Sequence, residues 1–247
     1  MKIIPLSEGA FTIDKTKVFQ SFDLSQDDLQ ARPAGSLLVE IQPFLIITSK
    51  DVILMDTGLG FEDGNGMSQL HQNLAKHAIS PGDVTKVLMS HLHKDHSGGM
   101  CIKNIGSGER ALAFPNARYY INRQELAYAS ESGSPSFHPE DFHLLIGNNN
   151  LTLIDGNGLI DDYIKYELTG AHSRFHQVFW IIEDGQKVFF GGDVAPQLQQ
   201  MKSRFVAKYD FDGKRSMELR QQWWNQGVSE NWIFLFYHDI KNPVVQL

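Results

Sequence analysis

The run Ser90-His91-Leu92-His93-Lys94-Asp95-His96-Ser97-Gly98-Gly99 places three imidazoles and one carboxylate within six positions. Imidazole nitrogen and carboxylate oxygen are borderline donors that suit Zn²⁺ and its first-row neighbours. Their order, H-x-H-x-D-H, allows two ions to be gripped from one turn: His91 and His93 face one, while Asp95 and His96 turn toward the other. A solvated surface cluster is the competing reading. The apolar run Val84 to Met89 before the motif and Gly98-Gly99 after it weigh against that reading. Catalysis by a side-chain nucleophile has less support, because no G-x-S-x-G surrounds Ser90 or Cys101 and the histidines are better explained as ligands.

The H-x-H-x-D-H motif is the hallmark of the metallo-β-lactamase superfamily, which the chain resembles from Asp51-Val52-Ile53-Leu54-Met55-Asp56-Thr57-Gly58 to His238. Leu168-Thr169-Gly170-Ala171-His172-Ser173 is similar to that family's T-P-G-H-T loop, with Gly170 and Ala171 where Pro and Gly are usual. The resemblance makes His172 the third ligand of the first ion. It makes Asp193, at the end of Val188-Phe189-Phe190-Gly191-Gly192, the carboxylate that bridges both ions. His238, after Trp232 to Tyr237, becomes the last ligand of the second. Asp56 ends the strand of the first motif; it either holds a ligand histidine through its other ring nitrogen, as in relatives, or caps a turn beside Gly58. His176 falls near a histidine common in relatives that supports the site without binding metal. Some β-lactamases use Cys on the second ion; Asp193 matches that position here, which argues against an antibiotic-destroying β-lactamase.

These groups need elements to carry them. Short apolar runs predict strands at 36–41, 44–48, 52–55 and 84–89, the first three as a meander joined by Gln42-Pro43 and Ser49-Lys50-Asp51 turns. Met67, Leu70, Leu74 and Ala78 recur at helical spacing, so 65–78 reads as an amphipathic helix stopped before Pro81-Gly82. A strand at 119–122 precedes a helix at 123–130. Residues 131–150 mix Ser, Gly, Pro and Asn with Phe137, Phe142, Leu144 and Leu145, as in an inserted loop with a buried helical turn bordering the active site. Strands at 151–154 and 163–168 follow, then a hairpin of 177–182 and 187–190. Two sheets face to face with helices outside fit this alternation. That is the α/β class, the four-layer αβ/βα sandwich of two mixed β-sheets of the resembled superfamily. A helix at 216–226 carries Trp223 and Trp224, which either wall a hydrophobic substrate pocket or, for at least one of them, pack on the sheet. Alternation along the last strand points Tyr237 away from the His238 face.

Composition bounds the function. The 247 residues show no linker or charge run, and the candidate ligands extend from 91 to 238; all must converge, so residues 1–247 read as one hydrolase domain. A hydrophobic content of 42% with 11% aromatics is enough for a large core. Twenty-two Lys and Arg against 29 Asp and Glu give a formal charge of -7, which leaves no net basic field for nucleic acid. Met1 to Glu8 is too short an apolar run for a secretory leader, and no stretch of roughly 18 apolar residues crosses a membrane; the expected location is cytoplasmic. Cys101 is the only cysteine, expected in a buried helix start, so an intrachain disulfide is excluded. A homodimer is the default expectation.

Two cations held a few Å apart turn a water between them into hydroxide near neutral pH and polarise the substrate oxygen, so the expected activity is hydrolysis of an ester-like bond. Asp95, the catalytic candidate, orients that water and carries a proton to the leaving group. Zn²⁺ is the first expectation for both ions, with Mn, Fe or Co accepted by the same donors. Within the superfamily the chain is most similar to the lactonase and organophosphate-hydrolase-like branch, which implies a small lactone or ester as substrate, with a phosphoester next. Three alternatives stay open: a glyoxalase-II-like thioesterase or persulfide-oxidising iron enzyme, without an identifiable acyl-thiol region; a ribonuclease, which lacks a basic surface; and a non-catalytic binding module, disfavoured by the intact ligand set.

Overall fold

In the computed structural model, which describes residues 1–103, 107–133 and 135–246, the strands run β1 (Lys2–Pro5), β2 (Gly9–Ile13), β3 (Phe19–Ser21), β4 (Leu37–Ile41), β5 (Phe44–Ile47), β6 (Val52–Met55), β7 (Lys86–Leu88), β8 (Cys101–Lys103), β9 (Arg110–Leu112), β10 (Arg118–Asn122), β11 (Leu151–Ile154), β12 (Gly158–Ile160), β13 (Ile164–Leu168), β14 (Gln177–Glu183), β15 (Gln186–Phe190), β16 (Ile233–Leu235) and β17 (Val244–Gln246). The α-helices are α1 (Gln69–Ala75), α2 (Lys94–Ser97), α3 (Arg123–Ser132), α4 (Leu198–Met201) and α5 (Gly213–Ser229). One sheet has the order β1-β5-β6-β7-β10-β11 and the other β12-β13-β14-β15-β16-β17. Both are mixed. In the first, β6, β7, β10 and β11 are parallel and β1 and β5 antiparallel; in the second, only β15 and β16 are parallel.

Alternation along the strands sorts their side chains into three apolar layers. Phe44, Ile46, Ile53, Met55 and Leu88 meet Phe179, Ile181, Val188, Phe190 and Leu235 between the sheets. The intervening residues point outward: Leu45, Leu54 and Val87 pack with Leu70, Leu74 and Leu126 of the helices, and Trp180, Phe189 and Phe234 with Trp223. The αβ/βα order expected from the sequence is therefore the observed one. A three-stranded flap, β3-β2-β4, lies beside the sandwich and contributes to a cavity described below.

Local chemistry explains the departures from the predicted bounds. The 65–78 helix starts only at Gln69, because Asp63 accepts from the amides of Asn65 and Met67 in a turn and Ser68 caps the helix by accepting from His71 N. Cys101 is buried, but at the start of β8 rather than in a helix; a 3-10 turn, Gly98–Met100, separates it from α2. Within the 131–150 segment, where residue 134 lies outside the described residues, two 3-10 turns, Pro139–Asp141 and His143–Leu145, bury Phe142 and Leu145.

Candidate metal centre

The centre lies where the strands of both sheets end and their following turns meet. The turn after β6 and the turn after β7 are tied together: Thr57 N–H donates to His96 O (2.7 Å) and Gly98 N–H to Gly58 O (2.9 Å). A Cβ on Gly98 or Gly99 would run into the carbonyls of Leu59 and Thr57, so the glycine pair lets the two backbones touch. From the other sheet, Gln177 N–H donates to Ser90 O (2.9 Å) and its side-chain amide to Met89 O (2.8 Å), which joins the start of β14 to the end of β7.

All seven sequence-selected donors converge there. Three groupings could hold an ion: His91, His93 and His172; His91, His96 and Asp193; Asp95, His96 and His238. His91 Nε2 and His172 Nε2 lie 2.9 and 3.1 Å from the same nitrogen, His93 Nδ1. Asp193 Oδ1 lies 3.1 Å from His96 Nε2 and 3.0 Å from His238 Nε2, and its Oδ2 3.3 Å from His172 Nε2. Asp95 Oδ2 is 3.6 Å from both His96 Nε2 and His238 Nε2.

The protons can be placed from the outer nitrogens. His96 Nδ1–H donates to Asp56 Oδ2 (2.7 Å), His172 Nδ1–H to Asp210 Oδ1 (2.8 Å) and His238 Nδ1–H to Glu40 O (2.7 Å). Ser90 Oγ gives its own proton to Asp56 Oδ2 (2.6 Å), so it accepts from His91 Nδ1–H (3.0 Å). Each of these four rings therefore turns its Nε2 inward, and converging Nε2 atoms, at which a cation can take the place of a proton, are a site for metal. Buried His96 Nε2 and Asp193 Oδ1 have no hydrogen-bond partner, which fits the same donors meeting a metal. Burial, reinforced by neighbouring imidazoles, holds His91 and His93 well below the usual histidine range. Around His96 and His238 burial acts downward too, but the carboxylates of Asp193 and Asp95 outweigh it and both are raised.

Asp56 is fully buried at a left-handed φ of 53°, and besides His96 it accepts the Ser90 amide (2.7 Å). His176 is buried beside the centre. Its Nε2 accepts the Asp193 amide (3.1 Å), so its Nδ1–H faces Thr169 Oγ1 (3.1 Å), whose proton goes on to His176 O (2.8 Å). That chain of bonds positions the backbone of Asp193 and leaves His176 no lone pair for a metal.

The sequence of residues 40–100, from the end of β4 through the H-x-H-x-D-H turn, matches the family model of the metallo-beta-lactamase superfamily. A probable metal-dependent hydrolase from Staphylococcus aureus superposes on the whole molecule with a TM-score of 0.79 at 22% identity, over 99% of this chain and 91% of that one. The chain has the metallo-β-lactamase fold. A dizinc quorum-quenching lactonase in complex with a product gives a TM-score of 0.73 at 20% identity, over 98% and 88% of the two chains. The hydrolase AbOPH of the β-lactamase superfamily gives 0.75 at 18%, over 99% and 89%. None of the curated proteins matches the sequence.

Around this candidate centre the structure adds residues that sequence reasoning missed. Asp210 is one, brought to His172 because Phe211 N–H and Asp212 N–H donate to the carbonyls of His172 and Ala171. Glu125, at the start of α3, braces two ligand turns at once: it accepts Leu92 N–H (3.0 Å) and Ser173 Oγ–H (3.3 Å), and burial pushes its carboxyl up to about 7. The N-cap Asn122 before a Glu at the third helical position is a signal that could have marked the helix start, though not the brace.

Of the two readings left open for the tryptophans, packing on the sheet is the observed one. Trp223 and Trp224 do not wall the substrate side: Trp223 is buried against Trp180 and Phe189, and Trp224 packs on Phe234. The physical reason is that α5 lies on the outer face of the second sheet, away from the strand ends. The cavity that opens onto the centre, about 930 Å³, is bounded instead by the flap, by Tyr128 and Phe137, and by Tyr209 and Phe211 ahead of α5.

Proposed function

We propose that the protein is a hydrolase of ester-like bonds, a lactone or ester first, that works with two divalent cations. One observation carries the reading: four imidazoles whose outer nitrogens are all committed turn their Nε2 atoms inward to converge with the carboxylates of Asp193 and Asp95 at the floor of a large cavity. Cations bound there would supply a Lewis acid for the substrate oxygen and an acidified water. His91, His93 and His172 would hold one, Asp95, His96 and His238 the other, and Asp193 both. Zn²⁺ is the proposed metal, in line with the dizinc lactonase of the same fold, and residues 1–247 would act as one catalytic unit.

Asp95 would carry the proton. Its backbone carbonyl accepts the Tyr237 hydroxyl (2.6 Å), which sets the orientation of the residue while its carboxylate lines the cavity. A carboxylate so placed can accept a proton as the nucleophile forms and return it to the leaving oxygen. Tyr237 has no such part, since its ring stacks on His96 at 4.1 Å and its proton is engaged. Among the described residues no helix is long and apolar enough to cross a membrane.

The test is a panel of lactones, aryl esters, phosphotriesters, phosphodiesters, thioesters and β-lactams, assayed with defined metals. Turnover of a lactone or ester that a chelator abolishes and metal restores is the expected result. Chelator-resistant turnover, or a preference for thioesters over every oxygen ester, would overturn it.

A further inference from the structure

The charge of the cavity is opposite to that of the molecule. On a chain with a net charge of -7, the cavity over the candidate centre is lined by Lys15, Lys17, Lys94, Arg174 and Lys208. They come from four places: the turn between β2 and β3, the start of α2, the loop after His172, and the segment before α5. Some cations elsewhere have acidic partners, Lys86 with Asp51, Arg123 with Asp155, Lys165 with Glu167, Lys187 with Glu230 and Lys214 with Glu218, while others stand singly; what sets these five apart is that they line one cavity. Among the described residues no such ion pair involves any of the five.

Four carboxylates share the cavity, so its lining sets five cations against four anions, and each anion already has polar partners. Asp95 and Asp193 face the histidines, Asp210 Oδ1 takes the His172 proton, and Asp14 accepts both the amide (2.8 Å) and the hydroxyl (2.6 Å) of Thr16. Arg174 is the most specific of the five. Its guanidinium carbon lies 4.8 Å from the Phe211 ring centroid and 5.8 Å from that of Tyr128, an arrangement in which aromatic faces hold the group and its N–H edge stays available. Lys94 Nζ is likewise 5.8 Å from the Phe19 ring. The same cavity is lined by the apolar Leu37, Val39 and Phe137, and the Phe137 ring lies 4.9 Å from that of His93 on the floor.

We propose that the substrate carries an oxyanion, a carboxylate or a phosphate, separated by an apolar spacer from the bond that is cleaved, and that Arg174 with the lysines of the collar binds it. The inference rests on the hydrolase reading above and narrows it: a neutral lactone or ester would leave the collar unused. Clustered unpaired cations raise the local concentration of anions at a cleft, and a guanidinium edge receives a carboxylate or phosphate through two parallel hydrogen bonds.

Two measurements test it, one of them independent of catalysis. Calorimetric titration of the metal-free protein compares 5-phenylvalerate with 5-phenylvaleramide, and phenyl phosphate with phenol. At low salt the anion of each pair is expected to bind roughly tenfold more tightly or better, with the advantage shrinking as ionic strength rises. Which pair shows the larger ratio tells carboxylate from phosphate. Arg174→Gln combined with Lys17→Gln should bring the ratio toward one, whereas Lys187→Gln, at a residue paired with Glu230 and outside the cavity lining, should leave it in place. In the second, kcat/KM of the metal-loaded enzyme is compared for aryl esters of succinate and of butyrate, and the succinate ester is expected to be favoured by a similar factor. Equal binding of anion and neutral partner, or an advantage that survives the Arg174 and Lys17 substitutions, would overturn the collar. Loss of turnover on both esters with the binding ratio intact would instead count against the hydrolase reading alone.

Discussion

The two halves of the candidate centre are built from unlike chemistry. His91, His93 and His172 form a cluster of imidazoles in which burial and mutual repulsion depress the basicity of His91 and His93. Asp95, His96 and His238 include a carboxylate, and with Asp193 it draws protons toward the two histidines against the effect of burial. In the first half burial and the neighbouring imidazoles thus keep His91 and His93 unprotonated. In the second, a cation would replace protons that the carboxylates favour on His96 and His238, so binding there should depend more on competition with protons. Asp193 belongs to both halves, within 3.3 Å of a histidine on either side.

Removing the shared residue is the severest way to break the comparison. Asp193→Ala should lower the occupancy of both halves and abolish activity, as elemental analysis and turnover measured side by side would show. His238→Ala touches only the second half; about one ion per chain should remain, with activity reduced by orders of magnitude. If both variants keep two ions and full activity, the division into halves is wrong. A milder test sits behind the first half. Asp210→Ala leaves His172 in place but frees its outer nitrogen, and metal affinity of the first half should fall roughly 10–100-fold in a chelator competition, the second half being spared.

The smallest effect concerns stability. Burial raises the Glu8 carboxyl from 4.5 to about 7, where its Oε2 accepts Leu59 N–H (2.7 Å) beside the turn after β6. The folded chain therefore keeps a proton that the unfolded chain releases, and this contribution declines as pH rises between about 4.5 and 7. The thermal midpoint of the metal-free protein should fall between pH 5 and pH 8 for this reason. Glu8→Gln cannot titrate, so the drop should be smaller in the variant; an identical drop would remove Glu8 as its source.

The amino-acid sequence by itself determined the layers and the donors. Side chains on a strand alternate by geometry, so the apolar runs at 44–47, 52–55 and 188–190 carry their two-faced packing in their own order. The H-x-H-x-D-H turn is equally local, four donors within reach of one another before any long-range contact forms. His172, Asp193 and His238 were found only because each ends or follows a recognisable segment. Tertiary structure alone decided the rest. Asp210 meets His172 across 38 residues through two backbone hydrogen bonds of an irregular segment, and His238 is buttressed by a carbonyl, Glu40 O, a group every residue has. The side on which Trp223 and Trp224 lie follows from where α5 docks, which helical spacing does not specify. The basic collar has the same origin: five cations from four separate segments acquire a common field only when folding brings them around one cavity.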